Sequence, residues 1–157
     1  MKQKWLLMMA FFPLLISWFH NMTLFALNGF LFYSLPLAAA AVWIWVGWRY
    51  AHSELRFFRS FLAANWFVLL SLPVYVWQFH FVSDAARSIG LAVMSQCTSI
   101  FSPLVSPLAI RFEPDPTSAG TAAYIAMIGL SALLFLILFT AGYVAGKRSL
   151  RGRGSAA

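Results

Sequence analysis

Charged residues are scarce in this chain of 157 residues. Asp, Glu, Lys and Arg make up only 10% of it, whereas a soluble domain carries about a quarter. Hydrophobic residues make up 62%, which is more than a soluble core of this size could hide from water. The composition therefore excludes an ordinary soluble domain and indicates one membrane domain, predicted over 1–146.

Cysteine is almost absent as well. The single Cys97 excludes an intrachain disulfide and any zinc site built from cysteines. The sequence also contains no Walker A loop, no Cys-x-x-Cys pair, no HExxH and no GxSxG. We therefore predict no catalytic residues, no metal site and no tightly bound cofactor.

Only four residues are acidic, and none of them lies in a long apolar segment. Proton-coupled transporters usually need a carboxylate in the membrane, because the transported proton must be bound and released there. A small transporter or channel stays open as an alternative. It would need a polar path, for which the candidates are Asn21, Asn65, Ser71 and Gln78.

The apolar segments predict an all-α integral membrane protein with four transmembrane helices. About 20 residues cross the hydrocarbon core, and four segments have that length: 5–27, 30–48, 60–82 and 121–146. The dipeptide Asn28-Gly29 predicts a tight turn between the first two. The first segment resembles a signal peptide but lacks a small-residue cleavage site, so we interpret it as a helix. Proline is expected to kink the first three helices, at Pro13, Pro36 and Pro73.

Basic residues are distributed asymmetrically around these segments. Nine of the eleven lie on one side: Lys2, Lys4, Arg49, Arg56, Arg59, Lys147, Arg148, Arg151 and Arg153. Short loops rich in Lys and Arg stay in the cytoplasm. Both termini are therefore predicted inside, with 147–157 as a basic cytoplasmic tail that frays and 83–120 as an external segment.

The stretch 91–110 is long enough to be a fifth span, which stays an alternative. A fifth crossing would place the basic tail outside and violate the charge rule. Apolar and polar residues alternate here with helical period, which predicts an extracytoplasmic amphipathic helix with Ser95 and Thr98 facing water. The repeated Ser-Pro-Leu is expected to break this helix near Pro103.

Two histidines are the sharpest candidates for chemistry. His20 and His80 are predicted at similar depth near the outer ends of two helices. Facing imidazoles could ligate haem or bind a quinone. The competing and simpler interpretation is that each ring bonds a neighbouring carbonyl.

Two further patterns indicate contact surfaces. Arg49, His52, Arg56 and Arg59 recur at steps of three and four, so on one helix they would form a cationic stripe for lipid headgroups or an acidic partner. Gly142 and Gly146 form a small-xxx-small pair, with the run 38–41 as the expected partner surface. Packing within the chain and an oligomer contact both remain open for this pair.

The function predicted from these features is a non-catalytic subunit or accessory factor that docks onto other membrane proteins. The expected location is the cytoplasmic (inner) membrane, with the lipid bilayer and other membrane subunits as partners and no nucleic acid. A haem- or quinone-binding anchor built on His20 and His80 is the first alternative, and a transporter or channel is the second.

Overall fold

A computed structural model gives an all-helical chain and describes residues 3–23, 29–112 and 120–154. Seven α-helices occur in these ranges: α1 (Gln3–Ala10), α2 (Phe12–Thr23), α3 (Gly29–Ala51), α4 (Phe57–Val76), α5 (Ile89–Ser95), α6 (Ser102–Ala109) and α7 (Thr121–Gly154). A π-helical turn, Trp77–Phe81, extends α4. Asn28 of the predicted turn and the acidic stretch 113–119 lie outside the described residues.

Three of the helices are long and apolar enough to cross a membrane. They cover Gly29–Ala51, Phe57–Phe81 and Thr121–Arg151, and each matches a predicted span within a few residues. By length and hydropathy the chain is a multi-pass membrane protein. The helix α7 continues to Gly154. The tail from Lys147 on, predicted to fray, is therefore helical in its described part.

The predicted first span is divided into α1 and α2 by a turn at Phe11, and neither part is long enough to cross alone. Proline explains the division. Pro13 has no N–H to donate to the carbonyl of Met9, and its ring crowds that carbonyl. The N–H of Phe11 instead bonds the carbonyl of Met8, at 3.2 Å. Pro36 and Pro73, by contrast, lie inside α3 and α4 without dividing them.

Side-chain contacts fix the relative directions of the long helices. The rings of Phe57 and Tyr143 lie 5.1 Å apart, and those of Phe61 and Phe139 6.2 Å apart, so α4 and α7 are antiparallel. The hydroxyl of Tyr50 donates to the carbonyl of Leu6 at 2.7 Å, which places the start of α1 beside the end of α3.

The helices α3 and α7 run parallel and approach closely at three glycines. A Cβ atom added to Gly47 or Gly142 would overlap a carbonyl oxygen of the opposite helix, and one added to Gly146 would lie 2.6 Å from the Cβ of Ala51. The predicted partner run 38–41 lies on the correct helix, but Gly142 and Gly146 meet residues further along it, at Ile44, Trp48 and Ala51.

The stretch between Phe81 and Thr121 therefore starts and ends at one end of the bundle. It does not form the predicted surface helix. The helix α5 ends at Ser95, and a bend of 45° separates it from the helical stretch Ser99–Phe112. The break lies at 96–98 rather than near Pro103, which is tolerated in the first turn of α6 because N–H groups there have no helical partner.

Ser95 and Thr98 were expected to face water but are fully buried. Ile100 and Phe101 are buried in the hydrophobic core. The break that precedes them, at 96–98, therefore lies between the long helices. A serine can be buried here because its hydroxyl bonds the carbonyl three residues earlier in the chain. The hydroxyl of Ser95, for example, donates to Ala92 at 2.7 Å.

Candidate functional site

The break at 96–98 exposes backbone groups that a helix would have paired, and Ser17 of α2 binds them. Its hydroxyl donates to the carbonyl of Cys97 at 2.7 Å and accepts from the N–H of Ile100 at 3.3 Å. The thiol of Cys97 in turn contacts the carbonyl of Phe67 on α4. Interrupted helices are tolerated at membrane depth only where protein groups or a lined cavity satisfy the backbone. No sequence pattern singles out Ser17, since any serine in a span could serve.

A cavity with hydroxyl and amide groups in a largely apolar lining lies beside this break, between α2, α4, α6 and α7. A narrow inner part of about 60 Å³ and a wider part of about 400 Å³ share the residues Gln96, Ser99, Ser102, Tyr124 and Met127. The wider part reaches Asn21 near the end of α2 and Ala123 near the start of α7. It is therefore located at the end of the bundle where the 82–120 stretch begins and ends.

Three hydroxyl oxygens at this cavity are buried without a hydrogen-bonding partner in the described protein: those of Thr98, Ser99 and Ser131. Leaving one buried polar group unsatisfied costs about 1–3 kcal/mol. All three residues line the inner part of the cavity. The arrangement offers hydrogen bonds to whatever occupies this space.

The described lining residues are uncharged. They supply hydroxyl groups from serine, threonine and tyrosine, and amide groups from Asn21 and Gln96, which bond each other at 3.0 Å. Of the polar path considered from the sequence, only Asn21 lines the cavity. Asn65 and Ser71 bond carbonyls of their own helix, and Gln78 bonds the carbonyl of Ser88.

An aromatic layer lies next to the break. Phe101, which follows the break, lies 4.4 Å from the ring of Phe135, and Phe135 lies 5.4 Å from Trp43. All three rings are fully buried.

The two histidines occupy different environments. His20 is 1% exposed and lies 6.2 Å from the ring of Phe32. Neither of its ring nitrogens has a hydrogen-bonding partner among the described residues. His80 is exposed on the π-helical turn. Within the described residues no hydrogen bond or ring contact joins the two, so facing imidazoles for haem or quinone stay a prediction.

The cationic residues do not form the predicted stripe on one helix. The helix α3 ends at Ala51 and α4 begins at Phe57, so the four positions are divided by a turn. The ring nitrogen Nδ1 of His52 lies 2.8 Å from the carbonyl of Trp48, and Arg49 lies over the ring of Trp45. Arg56 and Arg59 are exposed. Their binding of lipid or partner stays a prediction.

The glycine pair Gly142 and Gly146 packs inside the chain, against Ile44, Trp48 and Ala51. Sequence reasoning missed its counterpart, Gly47, which with Ala51 forms a second small-xxx-small pair. That spacing was readable in the sequence, but nothing there showed that the two pairs meet.

Comparison with protein-family models, with curated proteins and with solved structures finds no match for this chain. Within the described residues there is also no group of three or more His, Cys, Asp or Glu side chains able to hold a metal ion. Function is therefore inferred from the cavity and from the surfaces of this chain.

Proposed function

We propose that this protein is a membrane-embedded binding protein for a small uncharged molecule that hydrogen bonds through hydroxyl or amide groups. The observation that carries the proposal is the set of unpartnered hydroxyls of Thr98, Ser99 and Ser131 around one cavity. Such a site belongs to the transporter or channel class among the functions considered from the sequence. The aromatic layer at Phe101 would have to open for translocation.

The lining chemistry supports an uncharged ligand. Transferring an ion into a low-dielectric site is costly unless a countercharge meets it there. The described lining offers neutral donors and acceptors only. A volume of about 400 Å³ lies at the small end of the range for ligand pockets.

The charge distribution supports an orientation in the cytoplasmic membrane. Arg56, Arg59 and Lys147 lie at the end of the bundle where Phe57 meets Tyr143, and the cavity lies toward the opposite end. With the basic end inside, the termini are cytoplasmic and the ligand enters from the extracytoplasmic side. The 82–120 stretch then dips into the membrane and returns, instead of crossing it.

Equilibrium binding to the protein in nanodiscs tests the proposal, with radiolabelled glycerol and erythritol as neutral probes and glycerol 3-phosphate as the charged one. We expect saturable binding of a neutral probe and none of the phosphate. The double variant Thr98→Val, Ser131→Ala should bind about tenfold or more weakly, because two hydrogen bonds are lost.

Thr140→Val is the matched control. Its hydroxyl bonds Leu136 of its own helix at 2.8 Å and does not line the cavity, so binding should be unchanged. The proposal fails if neither neutral probe binds saturably, or if the double variant binds as the native protein does. Either result would mean that these hydroxyl groups do not form a binding site for small neutral molecules.

A docking subunit is the second candidate, and the exposed guanidinium groups at the basic end favour it. Two of the three surfaces expected to serve docking, the glycine pair and the predicted external helix, are used inside the chain. Affinity purification in mild detergent should then recover an acidic partner with the native protein and lose it with the double variant Arg56→Gln, Arg59→Gln.

A further inference from the structure

A second, apolar cavity lies on the outer face of the bundle, between the N-terminal helices and α3. Stripes of side chains at helical spacing face each other across it: Trp5, Met8, Met9, Phe12 and Leu15 from α1–α2, and Val42, Trp45, Val46 and Arg49 from α3. Its two parts measure about 360 Å³ and 200 Å³ and share Trp5, Met9 and Trp45. We call this cavity the Trp5–Arg49 groove.

The groove is graded from charged to apolar along its length. Arg49 lines the part near the basic end of the bundle, where its guanidinium lies 5.6 Å from the centre of the Trp45 ring. In the other part, reaching Leu15 and Val42, the described lining side chains are all apolar or aromatic. Trp5 and Trp45 flank the transition and are 59% and 45% exposed.

We propose that the Trp5–Arg49 groove binds one anionic phospholipid, with the phosphate on Arg49, the glycerol region between the two indole rings and an acyl chain along the apolar part. A guanidinium matches phosphate with a two-pronged set of donors. Indole rings favour the depth at which a lipid's polar and apolar parts meet. The positive charge of the Arg49 guanidinium favours an anionic lipid over a zwitterionic one, because it repels the ammonium group of a zwitterionic headgroup.

Native mass spectrometry and thermal denaturation in detergent test this proposal, with phosphatidylglycerol, phosphatidylcholine and soluble glycerol 3-phosphate as probes. We expect one phosphatidylglycerol to be retained and to raise the melting temperature, with little effect of the other two. Glycerol 3-phosphate separates a free phosphate site from a lipid site, because it lacks the acyl chain.

Arg49→Gln should weaken retention of phosphatidylglycerol by about tenfold or more, since a charge-assisted hydrogen bond is lost. Arg59→Gln is the matched control at the same end of the bundle. It should change retention by less than about twofold, because Arg59 does not line the groove and an exposed charge without direct contact contributes little.

A second variant keeps the charge and blocks the groove: Val42→Trp places a large ring where the acyl chain would lie. It should lose the bound lipid while Arg49 is intact. Equal effects of Arg49→Gln and Arg59→Gln would show general charge attraction and overturn the proposal. So would unchanged lipid retention in Val42→Trp, or equal stabilisation by glycerol 3-phosphate.

Discussion

Substitution of Gly142 by alanine is the sharpest perturbation of this fold. The added Cβ would overlap the carbonyl oxygen of Ile44, and a backbone atom cannot turn aside as a flexible side chain would. The helices α3 and α7 must therefore move apart, which loosens the contact between Trp43 and Phe135. Overpacking costs typically 1–3 kcal/mol, and the rigid neighbour favours the upper end.

Helix propensity acts in the opposite direction. Alanine is favoured over glycine in a helix by about 1 kcal/mol, so the net loss for Gly142→Ala is about 2 kcal/mol. For a chain of this size, that corresponds to a melting temperature lower by roughly 4–8 °C. Thermal denaturation in detergent, followed by tryptophan fluorescence, measures the change.

Gly129→Ala on the same helix is the control. Its Cβ would lie 3.9 Å from Leu72, an ordinary contact, so the melting temperature should be unchanged or slightly higher. Gly146→Ala should fall between the two, because its overlap, 2.6 Å to the Cβ of Ala51 and 2.9 Å to the carbonyl oxygen of Trp48, is less severe than that of Gly142. A melting temperature for Gly142→Ala equal to or above that of the native protein would refute the close approach of α3 and α7.

Three further outcomes are expected. A topology reporter fused after Lys147 should be active in the cytoplasm and one inserted at Pro116 outside; the exchanged result, with Pro116 in the cytoplasm and Lys147 outside, would favour five spans. Cysteine labelling in a variant that lacks Cys97 tests the burial of the break. Gln96→Cys should react with an impermeant maleimide in membranes and Thr98→Cys should not, because Gln96 is exposed and Thr98 is fully buried. Equal labelling would mean that the break is not buried. His20→Phe should keep or raise the melting temperature, because it removes two buried nitrogens that have no partner among the described residues. Leaving one such group unsatisfied costs about 1–3 kcal/mol. A Soret band that disappears in this variant would instead support haem binding.

The sequence by itself determined the features that are sums over neighbouring residues. Transfer of a helix into a bilayer adds up residue by residue, so hydropathy alone located Gly29–Ala51, Phe57–Phe81 and the start of α7 at Thr121. The positions where proline could interrupt a span are also read from the sequence. The sequence does not tell which proline divides a helix: Pro36 and Pro73 are accommodated inside α3 and α4, whereas the chain turns before Pro13.

Tertiary structure alone decided the candidate site. The serine- and threonine-rich face of 91–110 reads as water-facing, since the same hydroxyls bond water or protein groups equally well. The partners that settle the matter come from distant parts of the chain: Ser17 binds the broken backbone around Cys97, and Ser131 faces the same cavity as Thr98. Likewise Gly142 is a packing residue only because Ile44 lies against it. Such choices depend on which surfaces meet, and a linear pattern of residues does not contain that information.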